Sequence, residues 1–123
     1  MAEAGKKILV VEDDEIVSTV IELRLVKLGY AVCGKAATGE DAITLTQDTM
    51  PDAILMDISL AGSMDGIEAA KIIKEKFNIP LIFLTAYSDN KILERICPLK
   101  PAFFIFKPFT DDDLRIALKI SLG

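Results

Sequence analysis

The sequence predicts an α/β domain: an open, doubly wound parallel sheet of five strands flanked by five helices. Two observations carry this expectation. Short apolar runs recur along the chain, continuous rather than alternating, as strands covered on both faces require. Between them lie stretches of helical periodicity, so strand and helix patterns alternate from one end to the other. With 123 residues, 51% of them hydrophobic, the chain can bury the core of one such domain but is too short for two ordinary ones.

The first strand is expected at 8–11. A helix over 15–28 places Ile16, Val17, Val20 and Ile21 on one side. Gly29 stops it, and a weaker apolar run at 30–33 supplies the second strand. Thr38 and Asp41 have capping-box spacing, in which two side chains satisfy free amides at a helix start. The third strand is read at 53–56. Asp65 and Glu68 then open a helix over 66–77, with Ile67, Ala70, Ile73 and Phe77 on one stripe, and Asn78-Ile79-Pro80 ends it. The fourth strand is read at 81–84, and the helix after it is cut short by Pro98 and Pro101. The fifth strand is read at 103–106. Thr110 and Asp113 cap a final helix over 111–122, which presents Leu114 and Leu118 one turn apart. There is no repeat, linker or low-complexity stretch, so one domain fills 1–123, with its core at about 6–122.

Composition narrows the function. Fourteen Lys and Arg against 19 Asp and Glu give a net charge of −5. That balance lacks the basic footprint of a nucleic-acid binder and disfavours anionic membrane surfaces. No apolar run approaches the roughly 18 residues of a spanning helix, and residues 1–7 show no secretory pattern. Cys33 and Cys97 are far apart and lack CxxC spacing, which predicts two reduced, mostly buried thiols in a cytoplasmic chain. Histidine is absent, which excludes His-dependent catalytic triads and His-based metal sites.

Ligands of such sheets bind beyond the carboxyl ends of the strands. There the sequence places Glu12-Asp13-Asp14 after the first strand, Asp57 after the third, Thr85 after the fourth and Lys107-Pro108 after the fifth. Clustered carboxylates repel one another, and a hard divalent cation such as Mg²⁺ relieves that repulsion with oxygen ligands. Glu12, Asp13 and Asp57 bring three negative charges, and Mg²⁺ with Lys107 balances them. A phosphoryl group could then be held by the metal and Lys107, with the Thr85 hydroxyl donating to it. Asp57 would be the attacking oxygen. Each residue alone has a plainer reading. The acidic triplet suits a helix N-terminus, the chief role expected of Asp14. A strand-end Asp or Thr often makes only local hydrogen bonds, and Lys-Pro often marks only a turn. Their joint placement at successive strand ends carries the argument.

These residues resemble the receiver domain of response regulators in two-component signalling, of the chemotaxis type. The resemblance runs from Lys7-Ile8-Leu9-Val10-Val11-Glu12-Asp13-Asp14, through Leu55-Met56-Asp57-Ile58, Met64-Asp65-Gly66-Ile67-Glu68 and Leu84-Thr85-Ala86, to Lys107-Pro108-Phe109 and the final helix. It implies a flavodoxin-like fold with strand order 2-1-3-4-5. Asp57 matches the phosphoacceptor, supplied by the phosphohistidine of a sensor histidine kinase or phosphotransfer protein. Asp13 matches a direct Mg²⁺ ligand, Glu12 an acid acting through water, and the Ser59 backbone carbonyl a further ligand. Lys107 and Thr85 match the phosphate-binding pair, and the Lys107–Pro108 bond is expected to be cis. Thr85 and Phe104 match the switch pair, which would alter the fourth-helix, fifth-strand and fifth-helix face where a downstream protein or a fused output domain docks. Ser59 and Tyr87 occupy positions that tune phosphoaspartate lifetime in the family. No output domain is expected within these residues. No conventional enzyme activity is expected either, only acceptance of the phosphoryl group and its hydrolysis.

Three departures bear on the partner face more than on the chemistry. Phe104 replaces a frequent Tyr, Lys100-Pro101 stands where Gly-Ala is usual, and the 59–63 loop lacks its usual proline and is one residue longer. Two other classes fit less well. An Asp-nucleophile phosphatase needs a second Asp two residues after the first, where this chain has Ser59. A flavin or dinucleotide site needs a glycine-rich first loop, where this chain has Glu12-Asp13-Asp14. A receiver-like module that binds partners without phosphorylation is the remaining alternative.

Overall fold

The computed structural model describes residues 5–86 and 90–123. Tyr87 lies outside them. Strands and helices alternate as β1 (Lys7–Val11), α1 (Glu15–Lys27), β2 (Ala31–Ala36), α2 (Gly39–Thr49), β3 (Ala53–Asp57), α3 (Gly66–Lys76), β4 (Leu81–Thr85), α4 (Asn90–Ile96), β5 (Phe103–Phe106) and α5 (Asp111–Leu122), with a 3₁₀ turn at Cys97–Leu99. All five strands are parallel, in the order β2-β1-β3-β4-β5. Among the described residues no helix is long and apolar enough to cross a membrane.

Two apolar layers sandwich the sheet because successive strand residues point to opposite faces. Leu9, Val11, Ile54, Met56, Leu81 and Phe83 pack with Ala42 of α2, with Ile67, Ala70 and Ile73 of α3 and with Ile96 of α4. Ile8, Val10, Leu55, Ile82, Leu84 and Ile105 face Ile21 and Leu25 of α1 and Leu114 and Leu118 of α5. This two-sided burial explains why β1, β3 and β4 read as unbroken apolar runs. The helix starts follow the capping residues. Asp14 accepts from the Ile16 and Val17 amides, and Asp65–Glu68 and Thr110–Asp113 form reciprocal capping boxes. Thr38 accepts from the Asp41 amide.

Four expectations are corrected. On α1 the core face runs through Ser18, Ile21 and Leu25, while Ile16 is 77% exposed and Val20 40%. Apolar residues surround this helix on nearly every side, so periodicity selects no unique stripe; packing against the sheet does. The second strand is longer than expected and begins one residue later. A register shift between Ile8 and Leu9 pairs Val32 and then Gly34 with β1. This skips Cys33 and lets the ladder continue to Ala36. The fifth strand is not covered on both faces. It is a sheet edge on which only Ile105 is buried. Phe104 and Phe106 stand exposed and meet edge to face, with ring centroids 5.5 Å apart. Finally, the thiols are free, but Cys97 is exposed and Cys33 only partly buried, because the 3₁₀ turn and the edge strand β2 are both incompletely covered.

The loop after β3 is locked at Gly66, whose N–H donates to the Ile58 carbonyl over 2.8 Å. A Cβ there would overlap the Asp57 carbonyl and come within 2.9 Å of the Ile58 Cα. Gly66→Ala is therefore expected to cost on the order of 2–3 kcal/mol, read as a lower urea midpoint than wild type at unchanged slope.

Candidate functional site

The parallel register brings four strand ends to one edge. Val11 pairs with Met56, Asp57 with Leu84 and Thr85 with Phe106. The residues that follow or close these strands must therefore converge. Glu12, Asp13, Asp57, Ser59, Thr85 and Lys107 all line one cavity of about 260 Å³, with Val17, Ile58 and Ala86 forming part of its wall.

Asp57 is 4% exposed, as is Glu12. The Lys107 ammonium bridges them, 2.7 Å from Asp57 Oδ2 and 3.1 Å from Glu12 Oε1. The second oxygen of each carboxylate is held by backbone. The Ser59 N–H donates to Asp57 Oδ1 and the Asp14 N–H to Glu12 Oε2, each over 3.1 Å. Asp13 is exposed at the cavity mouth. One carboxylate oxygen from each of Glu12, Asp13 and Asp57 lies within 4.8 Å of the others. Thr85 is buried, and its carbonyl accepts from the Lys107 N–H over 2.8 Å. The next peptide bond, Lys107–Pro108, is cis.

Burial raises the Glu12 carboxyl above its ordinary pKa of 4.5, and the neighbouring Asp57 adds to the rise. Asp13 is also raised, by desolvation and then by Glu12. Burial alone would lower the Lys107 ammonium, but Asp57 and Glu12 outweigh it and raise its pKa. By formal charge, three carboxylates grouped around one ammonium leave an excess of two negative charges. Hard oxygen donors, close spacing and excess negative charge together suit a small divalent cation.

Of three further residues singled out in the sequence, Asp14 also lines this cavity. Asp14 caps α1 by its side chain, in the structural role expected. Phe104 lines a different cavity, with Phe106, Pro108 and Ile116. Tyr87 lies outside the described residues. Arg24 was not legible as a site-related residue, since a helical arginine carries no local signal. Its Nη1 nonetheless donates to the Phe109 carbonyl, two residues beyond Lys107, over 2.9 Å.

Comparison with known proteins agrees on one family. The model for the response regulator receiver domain matches residues 8–119. The transcriptional regulatory protein PdtaR of Mycobacterium tuberculosis is 30% identical over 99% of this chain and 59% of its own length. The signal receiver domain of a modulated diguanylate cyclase from Desulfovibrio desulfuricans superposes with a TM-score of 0.90 at 31% identity, covering 96% of this chain and 94% of that one. The receiver domain of the sensor histidine kinase PA1611 from Pseudomonas aeruginosa gives 0.85 at 35% identity, covering 98% and 100%. That structure holds a magnesium ion in its active-site cleft. The chain spans less than two thirds of the curated relatives it matches.

The raised carboxyl groups predict an unusual pH response. A carboxyl whose folded pKa lies above its unfolded value stabilises the fold below the unfolded value. That contribution is lost as pH rises through the folded one. In metal-free buffer, stability should therefore fall as pH rises from the ordinary values of 3.8 for Asp13 and 4.5 for Glu12. Asp13→Asn should flatten this fall, as measured by urea unfolding in steps from below the ordinary Asp13 value of 3.8 up to neutral pH.

Proposed function

Because the chain belongs to the response regulator receiver domain family, we propose that it is a phosphoacceptor that takes a phosphoryl group onto Asp57 and changes partner binding in response. The observation that carries this reading is the setting of Asp57: a buried carboxylate gripped by Lys107 and the Ser59 amide, inside an acidic cluster open to solvent on one side. Burial and two donors fix its oxygens before a donor arrives, which removes much of the orientational cost of reaction.

The donor is the phosphohistidine of a sensor histidine kinase or phosphotransfer protein in the cytoplasm. An Asp57 oxygen attacks phosphorus as the P–N bond breaks. The electron pair leaves with the imidazole, which is protonated, and an aspartyl phosphate remains. Lys107, already on Asp57, stabilises charge on the transferred oxygens, and the Thr85 hydroxyl donates to them. Glu12, Asp13, Asp57 and the Ser59 carbonyl would hold Mg²⁺. When bound, the ion would neutralise the carboxylates and the incoming phosphoryl charge. Hydrolysis transfers the group to water and restores the carboxylate. The chain's own chemistry ends there, so it is a switch rather than a conventional enzyme.

Phosphorylation adds about −1.5 to −2 charges beside the Lys107 ammonium that already pairs with Asp57. Thr85 and Lys107 turn to the new group. Phe104, exposed beside Phe106, has room to move as Thr85 shifts. The α4–β5–α5 face thereby alternates between two packings, and a downstream protein or a fused output domain reads the difference.

Incubation with acetyl phosphate and Mg²⁺ should add one phosphoryl mass to the intact protein. Asp57→Asn should add none, and Lys107→Gln should slow the gain at least about tenfold. A wild type that stays unmodified under conditions that modify another receiver would instead favour a module binding partners without phosphorylation.

A further inference from the structure

Lys107 must stay on Asp57 and Glu12, yet its backbone is anchored unequally. On one side β5 pairs with β4, and the Lys107 N–H bonds the Thr85 carbonyl. On the other side comes Pro108, which has no N–H to donate, and the chain must then reach Thr110, the cap of α5. The tie on that side comes from α1. Arg24 Nη1 donates to the Phe109 carbonyl over 2.9 Å. Its guanidinium carbon lies 5.3 Å from the Phe109 ring centroid, and its Nε is 3.5 Å from Asp111 Oδ1. Lys27, one turn further along α1, stands 3.6 Å from Asp111 Oδ2. One planar side chain thus grips a carbonyl, a ring and a carboxylate of the same short link, which an ammonium cannot reproduce.

The helix that supplies this grip also begins directly after the acid pair. Asp14 caps α1, and Ile21 and Leu25 seat it in the core. Glu12 and Asp13 before its start, and the exit of the lysine strand held from its last turn, are therefore referred to one rigid element. We propose that Arg24 is a positioning residue, clamping the link from Pro108 to Asp111 onto α1 and so holding the Lys107 ammonium on Asp57 and Glu12. Its effect on phosphoryl transfer rests on the function proposed above; its effect on the charge of the cluster does not.

A plain surface ion pair between Arg24 and Asp111 would have different consequences. If the clamp holds Lys107, loosening it slows transfer while leaving the carboxylates less neutralised, so Mg²⁺ should bind more tightly. General damage to the fold would weaken both. The experiment compares Arg24→Met, Arg24→Lys and Asp111→Asn, each with Lys107 intact, and Arg24→Met again in a Lys107→Gln background. Rates of acetyl phosphate labelling are read by intact mass, Mg²⁺ affinities by calorimetry and folding by thermal unfolding. Arg24→Met should slow labelling about three- to tenfold and tighten Mg²⁺ binding roughly two- to fivefold. Arg24→Lys should move both in the same directions and covers the case in which the methionine variant fails to fold. Asp111→Asn should change neither by more than about twofold. In the Lys107→Gln background Arg24→Met should have no effect on Mg²⁺ affinity. Equal effects in both backgrounds, weaker Mg²⁺ binding, or no change in either quantity would overturn the clamp. A wild type that is never labelled, but whose Mg²⁺ affinity rises on Arg24→Met, would overturn the proposed function and leave the clamp standing.

Discussion

A single ammonium set between two buried carboxylates governs this structure. Lys107 lies on both Asp57 and Glu12, and each partner brings a desolvation cost that an ion pair offsets only when its geometry is good. The geometry comes from the sheet. Parallel pairing in register delivers the ends of β1, β3, β4 and β5 to one edge, and the loops need only place their first residues. A third carboxylate, Asp13, stands within reach of both acids without a described ammonium of its own. The edge is therefore held away from its electrostatic optimum. Excess negative charge of this kind costs stability and suits a small divalent cation.

The architecture was legible because it rests on two strong signals. β3, β4 and all of β1 beyond the exposed Lys7 are buried with no polar face and so read as continuous apolar runs. Asp14, Asp65 and Thr110 announce helix starts by local hydrogen-bond chemistry. The candidate site was legible for a related reason, since in a parallel sheet a residue's position at a strand end fixes its position in space. What stayed hidden depends on neighbours distant in sequence. The exposed side of α1 could not be chosen because Ile16, Val20, Leu23 and Val26 are as apolar as Ile21 and Leu25. The run Phe103–Phe106 read by pattern alone as a strand covered on both faces, because an apolar run does not reveal a sheet edge; the resemblance, not the pattern, set Phe104 on a partner face. Arg24 meets Phe109 across 85 positions, a distance at which no local pattern survives.

The molecule also divides its labour between faces. Helix α1 borders the cavity at its N-terminus and leaves Ile16, Leu23 and Val26 in solvent. On α5 Ile116 and Ile120 are exposed, and Ile116 borders the aromatic edge strand. Lys107-Pro108-Phe109 connects the two regions. It carries the lysine into the charged cavity, lends Pro108 to the aromatic one and is grasped by α1 through Phe109. A rearrangement around Lys107 has a short covalent route to the aromatic edge.

That edge strand is fenced. Pro101 precedes β5 and Pro108 follows it, and a proline can offer no amide to a neighbouring ladder. Of the six residues between them, the four of the strand, Phe103–Phe106, leave about two outward-pointing amides, because amides along an edge strand point alternately in and out. An aromatic sheet edge is otherwise an invitation to recruit a sixth strand and to propagate into aggregates. Here the backbone template is short, which disfavours propagation, and the exposed rings of Phe104 and Phe106 make up much of what this edge presents. The proline beside the lysine thereby also serves as a solubility device.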